Sequence, residues 1–214
     1  MYSSAVPVHL VTHPLVQDAL VTLRDARTPL EAFRRTARRI SVLLATEALR
    51  DVPTREVTVQ TPLEQAPGRQ VAGDVVVVPV LRAGLGMLDA VLELVPTARV
   101  GHLGLRRDET TAVASQYYAK FPRGLADSFV LMIDPMLATG GSAVSGLDRL
   151  VEAGARSIRI ACIVAAPEGI AVVAARYPDV HIYTPVVDRE LNEHKFILPG
   201  LGDFGDRLYG TLES

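Results

Sequence analysis

Residues 129–154 read FVLMIDPMLATGGSAVSGLDRLVEAG. The five apolar residues 129–133 form a buried strand that ends in Asp134, and a helical pattern begins at Ser142. Between them lies the glycine-rich turn Pro135-Met136-Leu137-Ala138-Thr139-Gly140-Gly141. Strand, glycine turn and helix in that order make an anion cradle. The paired glycines let successive backbone N–H groups converge, the Thr139 and Ser142 hydroxyls add donors, and the helix N-terminus adds partial positive charge. Asp134 stands at the carboxyl end of its strand, where ligands bind in open α/β sheets and where a carboxylate would orient ribose hydroxyls.

Outward from this unit, strand-like runs alternate with helical patterns: residues 75–80, 85–95, 100–105, 129–133, 144–153 and 158–166. A helix over 168–177 and a strand over 180–184 follow, with Gly154 as a helix C-terminal cap. Such alternation predicts an α/β fold with a mostly parallel central sheet flanked by helices. Upstream, Leu15, Ala19, Leu20 and Leu23 mark a short helix. Thr28-Pro29-Leu30-Glu31 signals the start of a longer one, as hydroxyl N-cap, first-turn proline and capping-box acid. Its apolar stripe is Leu30, Phe33, Ala37, Ile40, Leu44 and Ala48, and Arg34, Arg35, Arg38 and Arg39 lie largely on the other side. Short β-branched pieces between 55 and 73, separated by Pro62, Pro67 and Gly68, predict an excursion of short strands or a hairpin. The stretch 188–214 is rich in glycine and charge, yet Phe196, Ile197, Leu198, Leu201, Phe204, Leu208 and Tyr209 make it an ordered irregular segment near a ligand. One domain over 1–214 is expected, with a core of about 74–187, N-terminal helices and strands over 1–73 and a C-terminal segment 188–214.

The 214 residues carry 22 basic and 24 acidic side chains, a formal charge of −2, and 49% are hydrophobic. That balance disfavours a protein that grips a polyanion by counterion release. No apolar run approaches the ~20 residues that span a bilayer, and no secretory signal opens the chain. Neither nucleic acid nor membrane is an expected partner. The single cysteine, Cys162, sits in an apolar run as a small core hydrophobe, and a cytoplasmic location is expected. There is no Walker G-x-x-x-x-G-K-[ST] string, and Gly84-Leu85-Gly86 lacks the third glycine of a dinucleotide fingerprint.

Several strings in order resemble the uracil phosphoribosyltransferases, of type I phosphoribosyltransferase fold: VPVLRAGLGM (78–87), DPMLATGGSA (134–143), VAAPEG (164–169), LNEH (191–194) and PGLGDFGDR (199–207), with HPL at 13–15. The resemblance covers essentially the whole chain. It implies transfer of the 5-phosphoribosyl group of 5-phospho-α-D-ribose 1-diphosphate (PRPP) to uracil, giving UMP and diphosphate in pyrimidine salvage. Arg82, and Arg107 in GLRRDE, would meet the diphosphate as fixed, paired donors. Asp134, Pro135, Met136, Leu137, Ala138, Thr139, Gly140, Gly141 and Ser142 would grip the ribose and its 5-phosphate. Ile197, Gly202, Asp203 and Phe204 would form the uracil site through main-chain groups, in an irregular C-terminal hood. Asp203 would also face the PRPP, directly or through the water of a bound Mg2+. A GTP activator and a homodimer or homotetramer are further implications.

Two positions depart from the family pattern. Phe204 stands where alanine is usual, so its ring must point away from a backbone-lined pocket. Lys195 stands where glycine is usual, a disfavoured choice if the backbone there has positive φ. The polar segment 106–120 is expected to be a lid over the diphosphate. A transferase for another nucleobase, an RNA-binding pyrimidine regulator and an inactive paralogue are the competing functions.

Overall fold

The computed structural model describes residues 6–107 and 114–211. The chain opens with strand β1 (Val8–Leu10) and helix α1 (Pro14–Arg24), capped by His13, whose Nδ1 accepts the Leu15 N–H at 3.1 Å. Val16, Ala19, Leu20 and Leu23 form the buried stripe, and Leu15, expected on it, is 53% exposed. One residue is a 100° step around a helix, enough to move Leu15 off a stripe that runs through Val16.

Helix α2 (Leu30–Ala48) buries Phe33, Ala37, Ile40, Leu44 and Ala48 as expected, whereas Leu30 stays exposed on its first turn. Its N-cap is Pro29 rather than Thr28, because the Thr28 hydroxyl donates to the Thr22 carbonyl at 2.6 Å. The basic quartet ties α2 to its surroundings. Arg34 donates to the Leu208 carbonyl, Arg35 pairs with Glu31, Arg38 with Glu93 and Arg39 with Asp18.

The excursion is an antiparallel hairpin of β2 (Thr54–Gln60) and β3 (Gln65–Val71). Pro67 and Gly68, expected as breakers, lie inside β3 opposite Thr58 and Val57. A proline is tolerated on a ladder edge that need not donate.

The main sheet begins with β4 (Asp74–Leu81), followed by α3 (Leu85–Leu94) and then β5 (Arg99–Val100) and β6 (His102–Arg107), interrupted at Gly101. Strand β7 (Ala114–Lys120) returns antiparallel to β6, so the described portion of the predicted lid is a β-ribbon. Residues 108–113 of that expected lid lie outside the described residues. A 3-10 turn (Leu125–Asp127) leads into β8 (Ser128–Ile133), the short β9 (Met136–Leu137) and α4 (Gly141–Glu152). Gly154 follows α4 at φ +94°, donating to the Val151 carbonyl as the expected left-handed stop. The apolar run 158–166 splits into β10 (Ser157–Ala161) and β11 (Val164–Ala165), before α5 (Pro167–Arg176) and β12 (His181–Thr184). The described part of the segment after 188, residues 188–211, is ordered, as expected, and contains two strands, β13 (Glu190–Leu191) and β14 (Ile197–Leu198), and a helix α6 (Phe204–Tyr209).

The long sheet runs β1-β12-β10-β8-β4-β6-β7, with β5 also beside β4, and only the β6–β7 pair is antiparallel. Val75 and Val77 of β4 face one core with Phe33, Ile40 and Met87, and Val76 and Val78 face the other with Leu147, Leu150 and Val173. Strand alternation thus gives both faces an apolar lining, which is why β4 and β8 read as unbroken apolar runs.

After β4 the chain turns to β6 on one side, and after β8 it turns to β10 on the other. The β4/β8 seam is therefore the switch point of the sheet, where a crevice opens beyond the carboxyl ends of the strands.

The C-terminal segment is fastened by a buried ion pair. Asp188, 4% exposed, accepts from Arg24 at 2.6 Å and from the Gly200 N–H at 2.9 Å, and Arg24 also donates to the Gly200 carbonyl.

Candidate active site

At this switch point lies a cleft of about 230 Å3. One wall is the predicted loop: Asp134, Met136, Leu137, Ala138, Thr139, Gly140 and Ser142. The other is the C-terminal segment, through Lys195, Phe196, Gly202, Asp203, Phe204 and Gly205. Two segments far apart in sequence, and expected to bind the two halves of one substrate pair, share one cavity.

The loop is held by pairing and by close approach. Strand β9 pairs with β11, Met136 opposite Val164 and Leu137 opposite Ala165, and the Pro135 carbonyl accepts from Ile163 and Val164. Pro135 thus anchors the loop without lining the cleft. Gly140 has φ +80°, and a Cβ there would lie 2.7 Å from the Gly169 carbonyl. A Cβ on Gly169 would in turn meet the Ala138 carbonyl at 2.5 Å. The VAAPEG string therefore contributes a glycine that lets the start of α5 back directly onto the loop.

Gly140 is also the N-cap of α4 and offers no side chain to cap it. Among the described residues no acceptor takes the N–H groups of Thr139 through Ala143, or the Thr139 and Ser142 hydroxyl protons. Converging, unspent donors at a helix N-terminus are what an anion needs.

Asp134 follows β8 directly, its N–H bound to the Ala161 carbonyl at 3.2 Å. Among the described residues its Oδ1 accepts only a long 3.4 Å bond from the Met136 N–H. Burial pushes its carboxyl up to about 7, against the weaker opposing pull of that bond. Beneath the loop, Cys162 is fully buried in the apolar floor, its thiol pushed up to about 12 by burial. It is the core residue expected.

Arg82 follows β4, the neighbour of β8, with Pro79 opposite Ile133. The Leu81–Arg82 peptide bond is cis, and a Cβ on Gly84 would sit 2.5 Å from the Ile133 carbonyl, so this turn packs against the end of β8. The Arg82 side chain does not line the cleft; its guanidinium lies 6.0 Å from the centre of the Tyr209 ring, whose hydroxyl donates to the Arg82 carbonyl. Arg107 is the last residue of β6, at the same carboxyl edge of the sheet.

In the C-terminal wall, Asp203 caps α6, Oδ1 accepting from the Asp206 N–H at 2.9 Å. Phe204 is one of the lining residues, yet it is 1% exposed and its ring lies 5.3 Å from that of Phe33, seated in the core. Ile197 is buried at 4% and does not line the cleft. The Asn192 N–H donates to the Phe196 carbonyl, and the next pair in register is Leu191 with Ile197. By antiparallel alternation the Ile197 N–H and C=O then face away from β13, and the carbonyl packs against Gly200, where a Cβ would lie 2.2 Å from it. His194 is exposed beside Glu193.

Arg207 was not singled out in the sequence. Its guanidinium lies 4.4 Å from the centre of the Phe33 ring and donates to the carbonyls of Leu201, Asp25 and Leu23, bracing the turn that carries Gly202 and Asp203. Its place in PGLGDFGDR was the available signal.

A family model described as uracil phosphoribosyltransferase matches residues 10–211. A uracil phosphoribosyltransferase of Rhodococcus opacus is 50% identical over 205 residues, covering 95% of this chain and 98% of that protein. One from Salinibacter ruber is 48% identical over 207 residues, covering 97% and 99%. Among solved structures, an Aquifex aeolicus protein matches with a TM-score of 0.92 at 35% identity, over 97% of this chain and all of its own. A hypoxanthine-guanine phosphoribosyltransferase from Bacillus anthracis matches with a TM-score of 0.50 at 12% identity, over 74% of this chain and 80% of that one. This last likeness is one of fold alone.

Proposed function

The chain belongs to the uracil phosphoribosyltransferase family, and from that premise we propose how its residues divide the work. The fold is that of a type I phosphoribosyltransferase. The enzyme transfers the 5-phosphoribosyl group of PRPP to uracil, giving UMP and diphosphate. The observation that carries the residue assignment is the meeting of the 134–143 loop and the 202–205 turn in one cleft.

In this proposal the unspent N–H groups of residues 139–143, with Thr139 and Ser142, hold the 5-phosphate, and Asp134 accepts from the ribose hydroxyls. Met136, Leu137 and Ala138 shape the wall beside the sugar, while Pro135 and Gly141 keep the loop in register. The backbone of Ile197, Gly202 and Phe204 reads the edge of uracil. As the bond from the anomeric carbon to the diphosphate oxygen breaks, the sugar becomes oxocarbenium-like and a bond forms to uracil N1, whose proton passes to water while the diphosphate leaves with the electron pair of the broken bond. Arg82 and Arg107 take the negative charge that gathers on the diphosphate. Fixing both reactants across one cleft converts an encounter of two molecules into a step within one complex.

Phosphoribosyltransferases generally use Mg2+ with PRPP. Among the described residues no three His, Cys, Asp or Glu side chains converge as a metal cage. That suits an ion delivered on substrate phosphates, since Mg2+ keeps several waters and uses one or two carboxylates. Asp203 would meet it through water, and the ion would neutralise charge on the leaving group. We take residues 1–214 as one catalytic domain, acting in the cytoplasm as a homodimer or homotetramer with GTP as activator. Sedimentation, and turnover with and without GTP, check these last points.

Arg82→Ala is expected to lower kcat/KM for PRPP about tenfold to thirtyfold with an unchanged melting temperature, since the residue is exposed and a charge-assisted contact to phosphate is lost. Steady-state kinetics with thermal unfolding measure both. Unaltered kinetics would remove Arg82 from the site.

A further inference from the structure

Lys195 is the one described residue other than glycine with positive φ, at +65°. It closes the turn between β13 and β14: its N–H donates to the Asn192 carbonyl at 2.9 Å, and the Asn192 side chain accepts from the Phe196 N–H at 2.9 Å. Glycine takes this conformation without steric cost, whereas a lysine is disfavoured there. Backbone conformations of this kind persist where the surroundings impose them, and they cluster at ligand clamps.

The side chain has a place to act. Among the described residues lining the cleft Lys195 is the only cation, and its ammonium has no carboxylate or carbonyl partner among the described residues. The opposite wall is the neutral cradle of Thr139, Gly140 and Ser142, whose donors are also unspent. Arg82 lies outside this lining, next to Tyr209. A phosphate seated in the cradle therefore carries a dianionic charge that the cradle's dipoles solvate, and among the described lining residues the one full positive charge is on Lys195.

We propose that Lys195 is a substrate-binding residue whose ammonium grips the 5-phosphate of the phosphoribosyl donor from the wall opposite the glycine loop. The proposal rests on the function assigned above. A flexible ammonium stem suits this task, because it contacts the phosphate as a point charge without demanding bidentate geometry.

The test compares Lys195→Gln, Lys195→Gly and Lys195→Arg in steady-state kinetics over a range of salt, with ribose 5-phosphate and inorganic pyrophosphate as competing ligands. Both neutral variants are expected to raise KM for PRPP about tenfold, to flatten its salt dependence, and to weaken inhibition by ribose 5-phosphate by a similar factor. KM for uracil and inhibition by pyrophosphate should stay within twofold, and Lys195→Arg should restore most of the loss. The glycine variant relieves the backbone while the glutamine variant keeps it, so a purely conformational role would separate the two. If Lys195→Gln leaves KM for PRPP unchanged, or weakens pyrophosphate inhibition alone, the proposal is wrong. A wild-type protein that makes no UMP overturns the functional assignment and this proposal together, whereas an active wild type with an unaffected Lys195→Gln overturns this proposal alone.

Discussion

Phe204→Ala is expected to lower stability by about 3–5 kcal/mol while leaving KM for uracil within about threefold. The ring is buried against Phe33, and the Arg207 guanidinium covers the Phe33 ring in turn. A Cβ on Gly86 would lie 3.3 Å from the Phe204 ring, so α3 closes the same space from another side. Truncation opens a cavity that α2, α3 and α6 would have to move together to fill. In the proposed assignment the base turn uses the backbone at 204, which alanine supplies equally well. Denaturant unfolding measures the first quantity and steady-state kinetics the second. A tenfold rise in KM for uracil with unchanged stability would put the ring in the base pocket instead.

Asp134→Asn is expected to act in opposite directions on stability and on activity. In the ligand-free protein burial holds the Asp134 carboxyl up at about 7, well above its ordinary value. A folded value above the unfolded one means that the protonated form fits the fold and the ionised form opposes it. No penalty applies below about pH 4; it grows by about 1.4 kcal/mol per pH unit between about 4 and 7, then levels off. Asparagine carries no such penalty. The variant should therefore exceed the wild type in melting temperature by more at pH 8 than at pH 5. The ribose hydroxyls of PRPP, by contrast, donate best to an ionised carboxylate, so kcat/KM for PRPP should rise through pH 7 in the wild type. In Asp134→Asn that limb should vanish and the plateau should fall roughly 10- to 100-fold, the loss of a charge-assisted contact. A variant less stable than the wild type at pH 8 would contradict the burial argument.

What was legible in the sequence depended on how locally each feature is encoded. The loop after Asp134 is a contiguous string, and its strand, glycines and helix specify one another between residues 129 and 154. The alternation of runs gave the parallel sheet for the same reason. Helix α6 escaped notice because six residues with a glycine at 205 do not establish a period. The Thr28 cap failed because a carbonyl six residues upstream competes for its hydroxyl. Hardest to read were contacts between distant positions. Gly169 owes its identity to a loop carbonyl on another element, and Phe204 to a ring on α2. The placement of Arg207 over the Phe33 ring likewise exists only after folding. The positive φ at Lys195 could be framed in advance, because glycine is usual at that place in the family, but only the turn at Asn192 fixes it.

The most direct measurement is chromatographic detection of UMP after incubating the purified protein with uracil, PRPP and Mg2+, with and without GTP, beside parallel reactions with cytosine, hypoxanthine and guanine. UMP from uracil, with little or no product from the other bases, is the expected result. Turnover of another base in preference to uracil would contradict the base assignment of the 197–204 segment, and no turnover of any base would contradict the assignment of the cleft as a working transferase site.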